Sequence, residues 1–263
     1  MLDTGATRAI LSESTVRQLG LHSDGTASVE VQGISGRERA TEVHLDRLDT
    51  GALHFRDLEV PVLSGLIFED LDGILGVDGL DGMQLTVSFV DHRCVISASP
   101  PRWMRQPRDG AVRVQSARRP MFAATLAGVR VEAIVDTGAA YTLGNPALLA
   151  ALRRAGAVQS LRSAPPIIDA NQQQQEGLVA STPPLQFGQV SMQPLEVTFA
   201  DYDIFRSWGL RRRPALLLGM DALATLAQFS IDYGRLEMRV TARPPATTLS
   251  AARPPASRMV GGG

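Results

Sequence analysis

Val135-Asp136-Thr137-Gly138-Ala139 decides the reading of this chain, because Leu2-Asp3-Thr4-Gly5-Ala6 repeats its pattern of apolar residue, Asp-Thr-Gly and alanine. Two matched acidic turns in one chain fit a chemistry that needs two carboxylates facing each other across a single water. One carboxylate takes a proton from that water; the other, still protonated, polarises a carbonyl. Two like charges that close cannot both ionise, so one pKa rises and the pair works as an acid and a base. Asp3 and Asp136 are therefore the candidate catalytic pair.

A three-residue motif is weak alone, and Asp49-Thr50-Gly51 is a third copy that shows it. Context separates the copies. After Asp3 come apolar Ala9-Ile10-Leu11, Ser12 as a helix cap and a helix-like stretch from Glu13 to Leu19, ended by Gly20. After Asp136 come Tyr141-Thr142-Leu143, Asn145-Pro146 as cap and first-turn proline, and helix from Ala147 to Ala155, ended by Gly156. Around Asp49 the apolar residues Leu45, Leu48, Leu53, Phe55, Leu58, Val60 and Val62 alternate as in strands. Asp49 is read as a hairpin turn.

The repeat continues downstream. Ile74-Leu75-Gly76-Val77-Asp78 is matched by Leu217-Leu218-Gly219-Met220-Asp221, each followed by a strand pattern, Leu85 to Phe89 and Gln228 to Asp232. Leu53–Val60 resembles Leu185–Met192 more loosely. The acidic turns lie 133 positions apart and the glycines 143, so order is kept and spacing differs by one loop. A repeat this long is a duplicated domain, and the expectation is two related lobes.

On these residues the chain resembles the retropepsin-like (retroviral-type) aspartic peptidases in a bilobal, single-chain form. The resemblance implies an all-β fold with a few short helices: two tandem β-barrel lobes with the active cleft between them. It implies that Asp3 and Asp136 form the dyad, supported by Thr4, Gly5, Ala6, Thr137, Gly138 and Ala139. Thr4 and Thr137 would hydrogen-bond across the lobes. Ile74, Leu75 and Gly76, with Leu217, Leu218 and Gly219, would pack beside the acidic loops, glycine allowing close backbone approach. The implied activity is aspartic endopeptidase, without cofactor or metal, on a peptide or protein substrate.

One departure stands out. Met121 to Val135 reads as a hairpin turning near Gly128 and running into Asp136, and nothing corresponds to it before Asp3. The expectation is that the natural chain begins upstream of Met1. The alternative is a truncated first lobe, leaving an inactive protein that keeps the fold for peptide binding. A signal peptide upstream would make the protein periplasmic or secreted; without one it is cytoplasmic. A monomer with intramolecular lobe pairing is expected, and a homodimer pairing two second lobes is the alternative.

Composition narrows the rest. The 263 residues suffice for two moderate cores, and 44% hydrophobic content fits a globular protein. A net charge of −1 gives no reason to expect nucleic acid or a membrane surface as partner. No lysine occurs, so every basic side chain but histidine is arginine, and Arg211-Arg212-Arg213 reads as a solvated loop. Cys94 is the only cysteine, which rules out an intrachain disulfide; its apolar strand context predicts a buried thiol. The histidines His22, His44, His54 and His92 lack metal-ligand spacing.

The expected division is a first lobe over residues 1–97, a connection over 98–118 with a short strand near Ala111–Val114, a second lobe over 119–240 and a disordered tail over 241–263. The hairpin pattern from Val29 to Leu45 is a candidate flap, with Gly33, Ile34, Ser35 and Gly36 at its tip; the plainer reading is a surface hairpin. Ile167-Ile168-Asp169-Ala170-Asn171 and the glutamines after it are a candidate second, looser flap, or an insertion. Asp78 and Asp221 are read as helix-start acids.

Overall fold

A computed structural model describes residues 1–23, 28–51, 53–65, 68, 70–101, 103–104, 111–169 and 172–243. Ala170, Asn171, most of the proline-rich 98–110 stretch and the tail after 243 lie outside them. No helix of the described residues is long and apolar enough to cross a membrane.

The first lobe is built from β1 (Ile10–Ser12), α1 (Glu13–Gln18), β2 (Ser28–Gln32), β3 (Arg37–Thr50), β4 (Leu53–Leu63) and β5 (Gly73–Ile74). Ser12 caps α1 by accepting the Thr15 N–H at 3.1 Å. The third acidic motif ends the long β3–β4 hairpin, where Gly51 takes the φ of +57° that an L side chain resists. The strands form one open sheet in the order β2-β3-β4-β1-β5.

The chain continues through β6 (Met83–Ser88), β7 (Arg93–Ala98) and β8 (Ala111–Arg113). The second lobe follows, with β9 (Met121–Leu126), β10 (Val129–Val135), β11 (Leu143–Gly144), α2 (Pro146–Arg154), β12 (Arg162–Ser163), β13 (Ile167–Ile168) and β14 (Gln174–Gln175). After these come β15 (Leu178–Phe187), β16 (Val190–Phe199), α3 (Asp203–Ser207), β17 (Ala215–Leu218), α4 (Met220–Leu223), β18 (Leu226–Asp232) and β19 (Glu237–Ala242). Six strands, β15-β16-β11-β17-β10-β9, close into a barrel because β9 pairs back onto β15. Closure leaves this ring without a free edge.

The difference between the lobes lies in front of the acidic turns. In the second, β10 runs parallel to β17 with Val135 beside Leu218. In the first, that place is held by residues 1–3: Leu2 bridges Leu75 in parallel, and the Met1 α-amino group donates to the Gly73 carbonyl at 2.7 Å.

A third sheet, β7-β6-β18-β19-β8, joins the halves. The two repeat strands of the sequence, β6 and β18, are antiparallel partners here, with Leu85 opposite Ile231. One core runs through the junction: Leu53, Val77, Leu80 and Leu85 pack in the same cluster as Phe122, Leu148, Phe229 and Ile231. The Phe122 and Phe187 rings stand 4.8 Å apart at its centre.

Three sequence expectations need correction. Cys94 is exposed, because β7 is an edge strand of the shared sheet. Leu53–Val60 lies inside β4, whereas Leu185–Met192 crosses the β15–β16 turn, so the two stretches are not equivalent. Asp78 sits in a turn and not at a helix start, and its carboxylate accepts the Ala9 N–H at 3.3 Å.

Asn145 caps α2 and ties it to the barrel. Its Oδ1 accepts the N–H of Leu148 at 2.8 Å and of Ala215 at 3.2 Å, and its Nδ2 donates to the Leu210 and Arg213 carbonyls at 2.8 and 2.7 Å. The Asn145 side chain is buried. Asn145→Ala leaves several groups unsatisfied and should cost about 3 kcal/mol in a urea titration. A loss under about 1 kcal/mol would show that the cap is not what anchors α2.

Candidate active site

Asp3 and Asp136 are brought together by equivalent local structures. In each acidic turn the carboxylate folds back on its own backbone. Asp3 Oδ1 accepts the N–H of Gly5 at 2.7 Å and of Ala6 at 3.1 Å; Asp136 Oδ1 accepts Gly138 at 2.9 Å and Ala139 at 3.1 Å. These bonds fix the carboxylates before any ligand arrives.

The turns interlock. The Thr4 N–H donates to Thr137 Oγ1 and the Thr137 N–H to Thr4 Oγ1, both at 3.1 Å. Each hydroxyl then donates to the strand leading into the other turn, Thr4 to the Val135 carbonyl at 2.8 Å and Thr137 to the Leu2 carbonyl at 2.9 Å. Sequence pattern named the threonines but gave no sign of these carbonyl acceptors, whose identity depends on how the lobes meet.

The glycines explain the separation of the carboxylates. A Cβ on Gly5 would fall 2.5 Å from Asp136 Oδ2, and one on Gly138 would fall 2.3 Å from the Asp3 carboxyl carbon. Each glycine thus gives its space to the opposing carboxylate.

Behind the turns, the Asp3 N–H donates to the Leu75 carbonyl and the Asp136 N–H to the Leu218 carbonyl, both at 3.0 Å. The Val77 N–H reaches the Ala6 carbonyl at 3.0 Å and the Met220 N–H reaches Ala139 at 2.8 Å. Ile74 and Leu217 are buried. Gly76 lies against the Arg8 backbone and Gly219 against the Tyr141 backbone, at distances where a Cβ would stand 2.6 and 2.5 Å from main-chain atoms.

Asp221, expected as a helix-start acid, does lie in the first turn of α4, and its carboxylate also binds Thr142, just before β11. Thr142 donates to it through its N–H at 3.0 Å and its hydroxyl at 2.6 Å. The same 133 and 143 offsets that relate the motifs also relate Ala9 to Thr142 and Asp78 to Asp221, the one signal that could have found this pair.

Burial sets the electrostatics of Asp136. Asp136 is 7% exposed, and its carboxyl is pushed well above the ordinary carboxylate range. Burial is the main cause, followed by the charge of Asp3 and a hydrogen bond with it; the N–H groups of Gly138 and Ala139 pull the other way. A cavity of about 510 Å³ in the second lobe adjoins this region through Tyr141, Thr142 and Asp221 but contains neither candidate carboxylate.

The candidate flap is the β2–β3 hairpin, with Gly33–Gly36 forming its turn and the Gly33 N–H donating to the Gly36 carbonyl at 2.8 Å. Its tip reaches the second lobe. Ile34 packs on a cluster containing Ala139, Tyr202, Ile204 and Leu217, and its carbonyl accepts the Ile204 N–H at 3.1 Å. The candidate second flap forms a short hairpin in which β13 pairs with β14.

Both halves match models of one enzyme class: residues 1–81 match "gag-polyprotein putative aspartyl protease" and residues 122–222 match "Aspartyl protease". The chain belongs to the retropepsin-like aspartic peptidase family. A solved structure of a retropepsin-like aspartic protease from Rickettsia conorii is similar at 17% identity and a TM-score of 0.35, over 49% of this chain and 87% of that one. No curated protein matches the chain. Aspartic peptidases act on peptides or proteins, which sets the substrate class for a retropepsin-like chain.

Proposed function

We propose that this chain is an aspartic endopeptidase in which Asp3 and Asp136 activate one water between the lobes. What supports the reading most is the reciprocal packing of each carboxylate on the other turn's glycine, which brings the two acids face to face. In the proposed cycle Asp136, holding its proton, donates a hydrogen bond to the scissile carbonyl. Asp3 takes a proton from the water as its oxygen attacks the carbonyl carbon. The C–N bond then breaks as the leaving amine takes a proton from the pair. Thr4 and Thr137 hold the turns in register, and the chemistry calls for neither metal nor cofactor. The peptide lies extended beneath the Gly33–Gly36 hairpin, its backbone paired with flap and lobe edges.

A second reading rests on the open first-lobe sheet: a protein that keeps the fold and binds peptides without cutting them. Digesting a mixed peptide library from acidic to neutral pH in H₂¹⁸O separates the two. Endopeptidase action should produce new termini inside the peptides, with solvent oxygen in the new carboxylates. If the folded chain retains peptides on a column and cuts none at any pH, the binding reading replaces the catalytic one.

A further inference from the structure

Asp169 belongs to the short β13–β14 hairpin and contacts the tip of the β2–β3 hairpin. It is 3% exposed, yet each carboxylate oxygen has a backbone donor. Oδ1 accepts the Gln173 N–H at 3.0 Å from its own hairpin, and Oδ2 accepts the Ser35 N–H at 2.8 Å from the tip of the first-lobe hairpin. The Asp169 N–H donates to the Gln173 carbonyl at 3.1 Å and the Gln172 N–H to the Asp169 carbonyl at 2.9 Å, a turn that fixes the carboxylate before the other hairpin arrives. A buried carboxylate is tolerated only when such bonds replace its water.

The contacts around it run in the same direction. Ile34 O takes the Ile204 N–H, and Gln32 Nε2 donates to Asp203 Oδ2 at 3.2 Å while also bracing the Gly33 and Gly36 carbonyls at 2.8 and 3.0 Å. Gln172 Nε2 reaches the Ser64 carbonyl at 3.3 Å from the other side. Of these links, only the one at Asp169 joins a buried charged group on the second lobe to a main-chain donor at the flap tip.

We infer that Asp169 is a positioning residue: its carboxylate latches the Gly33–Gly36 hairpin of the first lobe onto the second. With the proposed cleft beneath, the latch holds the cover down over a bound peptide; this last clause rests on the peptidase reading, while the latch itself does not. Because its carboxylate holds the amides of the two hairpins, Asp169 acts on binding and leaves the bond-breaking step to the dyad.

Amide hydrogen exchange on the full chain without substrate tests the latch directly. Lifting the hairpin exposes the Ser35 amide and, on the opposite lobe, the Ile204 amide that donates to Ile34. In Asp169→Ala both should exchange about tenfold faster or more, with the β10 and β17 amides still protected. Ser35→Pro removes the flap-side donor and leaves the Asp169 turn whole; it should speed exchange at Ile204 alike. Unchanged exchange at Ile204 in both variants, with the barrel still protected, overturns the latch. On any peptide the parent cleaves, Asp169→Ala should raise KM about tenfold with kcat within about twofold, and Asp169→Asn, which keeps one acceptor oxygen, should recover part of the loss. A fall in kcat at constant KM would overturn the positioning role. Absence of cleavage by the parent would count against the peptidase reading, and the exchange result would still decide the latch.

Discussion

Replacing Asp136 by asparagine should abolish peptide cleavage, lowering kcat/KM by about 10³-fold or more, and should at the same time make the folded protein more stable at neutral pH. The first effect follows because the amide keeps the size and the hydrogen bonds of Gly138 and Ala139 but cannot hold and release the proton. On the proposed mechanism Asp3→Asn should be equally silent, because an amide cannot take the proton from the attacking water. The second effect is a matter of linkage. The folded carboxyl of Asp136 is raised above its unfolded value, mainly by burial and then by Asp3. Between those two values the native state binds more protons than the unfolded chain, so stability falls as pH rises from the ordinary carboxylate range through the raised folded value. Asparagine has no such titration. Urea midpoints measured against pH should converge for parent and variant at low pH and separate in the variant's favour toward neutrality. A variant less stable at neutral pH would mean that the dyad carries no buried-charge penalty, and residual cleavage above about one per cent would remove Asp136 from the reaction.

Gly219→Ala should cost about 3 kcal/mol or more. The new Cβ would stand 2.5 Å from both the carbonyl carbon and the oxygen of Tyr141, and 3.0 Å from the Ala139 oxygen. Those atoms are backbone and cannot swing away as a side-chain end would. The strand leaving the acidic turn would have to move, and with it Thr142, whose hydroxyl accepts the Gly219 N–H at 3.2 Å. Activity should fall along with stability, because Ala139 is joined to Met220 by a main-chain bond. Gly5→Ala is a useful contrast: there the clash is with the Asp136 carboxylate, so activity should be lost with a smaller change in denaturation midpoint. Equal midpoints for Gly219→Ala and the parent would mean that the two loops are not rigidly packed.

Much of this could be read from the chain because it was written twice. A duplicated Asp-Thr-Gly with a duplicated apolar-apolar-glycine motif gave the lobes, the paired acids and the glycine loops. The caps at Ser12 and Asn145 were readable because a cap depends on its own neighbours in sequence. Cys94 failed for the opposite reason. An apolar run looks the same in a central strand and at an edge, and which of these Cys94-Val95-Ile96 occupies depends on what packs against β7.

The sequence by itself therefore determined the composition of the candidate site: two acids, two threonines and four glycines, arranged so that each half could build one turn. Tertiary structure alone decided how the halves depend on each other. The carbonyls of Leu2 and Val135 became acceptors for the opposite threonines, β6 of one repeat paired with β18 of the other, and Asp169 reached Ser35 across 134 positions. Local preferences act over a few residues, and a contact between distant segments forms only after the chain has given up the entropy of bringing them together. That is why the motifs were legible in the sequence and their partners were not.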